Sequence, residues 1–159
     1  MAFNTIIDSS KIMDNMKTYE FRFQKKQNFS EYILPLTKNN EQYLLIKQKD
    51  NQYNFIHYYI IANRTQVIGR FDIGVNTKSC GITYHIIEEF QNRGIGQTVL
   101  GFVVEDIFNN HNVDRIIILP INERSVAIAS KIGFTPKSQG AYELKSLDYQ
   151  NSQSNRKQK

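Results

Sequence analysis

Six residues, Gln91-Asn92-Arg93-Gly94-Ile95-Gly96, constrain this chain more than any other stretch of its length. They follow an apolar run, Ile82-Thr83-Tyr84-His85-Ile86-Ile87, and open onto a helical pattern from Gln97 to Asn110. Two glycines let the backbone turn tightly and approach a ligand where a Cβ would collide. The amides of the turn, and of the helix that starts there, are unpaired donors at the positive end of a helix dipole. Strand, glycine loop and helix N-terminus thus make a cradle suited to a phosphate or pyrophosphate. A plain turn is the alternative, and the neighbouring sequence has to decide.

Two nucleotide-binding motifs are excluded directly. The dinucleotide fingerprint needs G-x-G-x-x-G, and Gly94 and Gly96 are followed by Val99. No G-x-x-x-x-G-K-[ST] run exists either. What remains is Q-x-x-G-x-G. Downstream comes an apolar strand, Arg115-Ile116-Ile117-Ile118-Leu119, and then Asn122-Glu123-Arg124-Ser125 opens a helical segment ending in Ile132-Gly133-Phe134. In this order and spacing the motifs resemble the GNAT family of N-acetyltransferases. Within it they are most similar to the branch of ribosomal-protein N-terminal acetyltransferases (RimJ/RimL-like). The resemblance runs over about residues 66 to 135 and is thin before them.

The rest of the chain supplies strands and helices to match. Tyr19 to Gln24 and Phe55 to Ile61 read as strands, the first by alternation and the second by aromatic and β-branched content. Asn63-Arg64-Thr65 reads as a hairpin turn leading to a partner strand from Val67 to Ile73. Phe29 to Lys49 is helix-compatible but interrupted by Pro35, which predicts two short helices there. Val99, Leu100, Val103, Val104 and Ile107 place an apolar stripe on one helix face. Gly133 has the C-cap role of the next helix, and Ala141 to Leu144 reads as a last short strand. The expected class is α/β (α+β), with a mixed, mostly antiparallel central sheet flanked by helices. Residues 1–147 are expected to form one domain, and the polar residues 148–159 a disordered tail.

Composition narrows the function classes. No apolar run approaches the roughly 18 residues of a membrane span, and the first residues lack the basic and apolar regions of a secretory signal. One cysteine, Cys80, precludes an intramolecular disulfide framework and fits a cytoplasmic protein; beside Gly81 it reads as structural. The formal net charge of +5 permits an anionic partner. The basic residues do not gather into a stripe, which argues against nucleic acid; a phosphate-rich small molecule accounts for a modest excess. No metal site is read.

The resemblance implies acetyl-CoA as co-substrate, lying in a cleft where the strand before the loop splays from a parallel neighbour. By position, Ile86 and Ile87 then offer backbone groups to the pantetheine arm, and Gln91, Asn92, Arg93, Gly94, Ile95 and Gly96 hold the pyrophosphate. Asn122 has an amide able to pair with those of pantetheine, and it is equally placed to cap the helix it precedes. Ser125 matches the branch's serine and is the candidate for contacting or protonating the departing thiolate; capping is the alternative. Family members often carry a glutamate where this chain has Cys80 or Gly81, and a tyrosine where it has Ala129. His85 and Glu143 are the candidate bases, against a strand histidine and a surface carboxylate. Tyr84 and Tyr142 could orient an acceptor or simply pack.

The functional expectation is an acetyl-CoA-dependent N-acetyltransferase acting on a primary amine of a protein N-terminus or small molecule, by direct attack in a ternary complex. A homodimer is compatible with it. The alternative is a non-catalytic acyl-CoA-binding module, motivated by the two absent family residues.

Overall fold

A computed structural model describes residues 29–33, 43–50, 54–63 and 65–157. Among the described residues eight strands form one sheet: β1 (Phe29–Ile33), β2 (Tyr43–Asp50), β3 (Phe55–Ala62), β4 (Gln66–Val75), β5 (Ser79–Ile86), β6 (Arg115–Ile118), β7 (Thr135–Pro136) and β8 (Tyr142–Lys145). Their spatial order is β1-β2-β3-β4-β5-β6-β8-β7. Every pairing is antiparallel except β5 with β6. The helices among the described residues are α1 (Ile95–Asn110), α2 (Glu123–Ile132) and α3 (Ser146–Lys157). This is the mixed α/β sheet expected of the sequence.

The elements follow from local chemistry and burial. β3 is buried on both faces, with Tyr58 and Tyr59 both inaccessible to solvent, so its run of aromatic and β-branched residues has no polar alternation. Asn63 adopts φ 52° in the β3–β4 turn, a conformation asparagine tolerates. The α1 stripe predicted from periodicity (Val99, Leu100, Val103, Val104, Ile107) is fully buried against the sheet core that includes Tyr58, Phe71 and Ile82. Burying each such side chain contributes about 1.5–3 kcal/mol. α2 ends at Gly133, whose φ of 122° puts it where an L side chain is strained.

Two expectations are corrected. Strands β1 and β2 stand at both ends of the segment expected to hold two short helices. Leu45 pairs with Ile60, and burial of Tyr43, Leu45 and Ile46 in the sheet outweighs the few tenths of a kcal/mol, about 0–0.7 per residue, by which helix propensities differ. Of the residues 148–159 expected to be a disordered tail, 148–157 belong to α3. The Tyr149 ring packs on Phe108, centroids 5.3 Å apart, and Ser146 N–H donates to Asp114 O. One aromatic anchor is too sparse to register as periodicity. The predicted strand at residues 19–24 lies outside the described residues.

Candidate active site

The cleft arises because β5 outruns β6. Their parallel register ends at Ile82 with Ile118, while β5 continues to Ile86 beside β4. Ile87 N–H donates to Ile68 O at 2.9 Å, which fixes the parity of the strand. Amides alternate edges along a strand, so the backbone groups of Tyr84 and Ile86 face the opened edge. Ile87 departs from the expectation set for it: its N–H is bonded to β4 and its carbonyl accepts from Phe90 N–H. The cleft-facing pair is Tyr84 and Ile86.

After β5 a single 3-10 turn, Glu88–Phe90, leads into the glycine loop. Asn92 (φ 64°) and Gly94 (φ 81°) turn the chain so that α1 begins at Ile95. Gly94 caps α1 with no side-chain bond, and the first turn holds no acidic residue. Its amides therefore present an uncompensated positive end. At Gly96 a Cβ would meet Ile86 Cδ1 at 3.4 Å and Ile128 Cδ1 at 3.5 Å, ordinary contacts that the protein could accommodate. Beside the loop, a cavity of about 560 Å³ opens between α1, α2 and α3, lined in part by Arg93, Gln97, Thr98, Lys131 and Tyr149.

Gln91 ties the cleft together. Its Nε2 donates to Ile86 O at 2.8 Å, and its Oε1 accepts from Arg124 Nη1 of α2 at 3.1 Å. Arg93 lies over the Phe90 ring, 4.7 Å from the centroid, and donates to Glu89 O. Asn122 caps α2: its Oδ1 accepts from Ser125 N–H at 2.8 Å and from Ser125 Oγ at 2.9 Å. Ser125 is itself buried. Its neighbour across the cleft is Tyr84, whose phenol burial pushes up in pKa; the Ser125 hydroxyl lies close enough to offset part of that rise, but it donates to Asn122 and makes no hydrogen bond with the phenol.

The remaining expected residues lie apart from this group. His85 is exposed and, as the next residue after Tyr84, points to the opposite face of β5. Glu143 is ion-paired with Lys137 at 3.1 Å and Arg115 at 3.6 Å. The Lys137 hydrogen bond foremost holds its carboxyl below the usual carboxylate range, which suits a base poorly. Cys80 is buried, and desolvation pushes its thiol up to about 12, leaving it inert. Ala129 is fully buried and supplies no hydroxyl.

Sequence reasoning missed a second polar group. His57 Nδ1 donates to Asp72 Oδ1 at 2.6 Å, and Asp72 also pairs with Arg70 at 2.7 Å. Only cross-strand register brings His57 to Asp72, so no sequence spacing signals them. Among the described residues no cluster of His, Cys, Asp and Glu could hold a metal ion, and no helix is long and apolar enough to cross a membrane.

Residues 12–135 match the acetyltransferase (GNAT) domain family. The chain belongs to this family. Among solved structures, the ribosomal-protein-S5-alanine acetyltransferase of Vibrio fischeri aligns with a TM-score of 0.54 at 18% identity, over 62% of this chain and 65% of that one. The spermidine/spermine N-acetyltransferase SpeG of Vibrio cholerae aligns at 0.58 and 16%, over 65% and 71%. RimJ of Mycobacterium smegmatis, in complex with CoA-disulfide, aligns at 0.54 and 18%, over 60% and 55%. At these identities the likeness is one of fold, and the chain spans less than two thirds of the first of them. A search of curated protein sequences returns no significant match.

Proposed function

We propose that the protein is an acetyl-CoA-dependent N-acetyltransferase that acts on a primary amine. One observation carries the reading: an uncapped helix N-terminus behind Gly94 stands at the mouth of the cleft between β5 and β6. The first turn of α1 receives the pyrophosphate, with Gln91, Asn92, Arg93, Gly94, Ile95 and Gly96 forming the loop around it. Nothing in the protein forces glycine at position 96, so close approach of a ligand to its backbone explains the residue. Ile86 pairs with the pantetheine arm through its backbone. Ser125 stands at the reacting end, with Asn122 holding it there.

The amine attacks the thioester directly in a ternary complex. Positioning of the two reactants supplies roughly 7–11 kcal/mol of the barrier. Of the two bases expected from sequence, Glu143 is held by two cations and His85 lies on the face of β5 opposite Tyr84, so we assign the role of base to neither. Acceptors of the aligned proteins include a ribosomal-protein alanine and spermidine. We accordingly place the acceptor among protein N-termini and small-molecule amines. A lone buried thiol suits the reducing cytoplasm.

A second reading, acyl-CoA binding without catalysis, is favoured by the buried Ala129 in place of the family's tyrosine. Thermal unfolding with acetyl-CoA, run beside Gly94→Val, tests the cofactor cradle. Ligand at 100 times its Kd adds about 2.7 kcal/mol. That shifts Tm by several degrees, at about 2–4 °C per kcal/mol. The shift is expected in the wild type and absent in the variant. No shift in the wild type at saturating ligand removes the reading. Thiol release on a panel of peptides and polyamines then separates enzyme from binding module.

A further inference from the structure

Among the described residues, one buried side-chain polar atom has no hydrogen-bond partner: the Tyr84 hydroxyl oxygen. A buried unpaired oxygen costs free energy, so its presence calls for an explanation. Its position supplies one. Tyr84 lies two residues beyond the last β5–β6 pair, where the cleft opens. Its ring is stacked on Phe71, centroids 4.5 Å apart and planes 4° apart, which fixes where the oxygen points. The ring edge stands 4.0 Å from where a Gly96 Cβ would sit, and the Ser125 hydroxyl is its polar neighbour. Glycine loop, helix α2 and the opened strand edge therefore converge on this phenol.

We propose that Tyr84 is a catalytic residue whose hydroxyl contacts the thioester sulfur and protonates the departing thiolate, with Ser125 orienting it. The proposal rests on the acetyltransferase reading above. It places on the strand the hydroxyl that Ala129 fails to supply from the helix. As the amine nitrogen bonds to the carbonyl carbon, the C–S bond breaks with its electron pair on sulfur. The Tyr84 O–H proton moves to that sulfur, giving the free thiol. The proton released by the acylated nitrogen returns through solvent to the phenolate, so amine and thioester become amide and thiol. Burial keeps the phenol protonated until then, and the Ser125 hydroxyl can turn from Asn122 to the phenolate as it forms.

Calorimetric titration with CoA and with desulfo-CoA tests this without an acceptor. Wild type is expected to favour CoA by roughly three- to tenfold, the worth of one hydrogen bond. Tyr84→Phe, which keeps the ring stack, is expected to lose that preference while still binding both ligands. An unchanged preference in Tyr84→Phe overturns the role of Tyr84 and leaves the cofactor reading intact. Failure of wild type to bind either ligand overturns both. The ligand-free variant is expected to melt at the same temperature or higher, because an unpaired buried oxygen is gone. A lower Tm would assign the hydroxyl a structural bond and overturn the proposal. With an amine acceptor in hand, kcat of Tyr84→Phe is expected to fall about 10²-fold with KM for acetyl-CoA little changed. A wild-type kcat in this variant overturns it too.

Discussion

Asn122 shows how one side chain can serve both the fold and the site. Its Oδ1 accepts from the Ser125 amide and hydroxyl together, so it closes the first turn of α2 and sets the serine rotamer. Asn122→Ala is expected to cost about 0.5–2 kcal/mol in urea unfolding, the ordinary worth of an N-cap. Asn122→Asp, which keeps the acceptor, should recover most of it. Equal losses in both variants would show that the amide nitrogen, and not the cap, carries the effect. Ser125 and Asn122 were legible in sequence because cap spacing is local. Glu143 was not, because Lys137 and Arg115 reach it only after β6 and β8 pair.

The end of β5 is held by neighbouring elements that approach closely. Gly69 of β4 faces Ile86, and a Cβ there would lie 2.8 Å from His85 O, a backbone atom that cannot turn away. Gly69→Ala is expected to destabilise by about 1–3 kcal/mol, as overpacking does. It should also weaken acetyl-CoA binding, because displacing β5 moves the cleft-facing groups of Tyr84 and Ile86. Denaturant titration and a ligand-induced Tm shift measure the two effects. A variant with wild-type values in both would remove Gly69 from this role. The glycine loop and α1 were readable from the sequence, since turn conformation and a repeating apolar stripe are properties of short segments. β1, β2 and α3 were not, since each is stabilised by a partner distant in sequence.

Across the molecule, β2, β3 and the end of α1 are joined by a buried polar network. Lys47 Nζ donates to Asp106 Oδ2 at 2.6 Å and lies 3.0 Å from His111 Nε2, while Tyr58 and Asn110 also donate to Asp106. Burial works to raise the Asp106 pKa, and the hydrogen bonds from Lys47, Tyr58 and Asn110 outweigh it, so the net shift is downward. Burial, with Lys47 and Lys49, lowers that of His111 against the opposing pull of Asp106. A histidine depressed in the folded state contributes stability above its unfolded value of about 6.5 and loses it as pH falls. Tm is therefore expected to decline from about pH 7 to pH 5.5, and less so in His111→Gln; identical slopes would exclude the ring as the cause. The Asp106 contribution should persist until the pH drops below about 4.

By itself the sequence determined the strand–glycine loop–helix unit, the cap of α2, the apolar face of α1 and the family they define. Each of these rests on interactions within a few residues: a positive φ, an N-cap spacing, a helical repeat. Tertiary structure alone decided that β5 and β6 part after Ile82, that Ile87 bonds into the sheet while Ile86 faces the cleft, and that Glu143 is held ionised by Lys137 and Arg115. It alone placed the Tyr84 hydroxyl, buried and unpaired, beside Ser125. Register, burial and the field of distant charges depend on residues that the chain brings together only by folding.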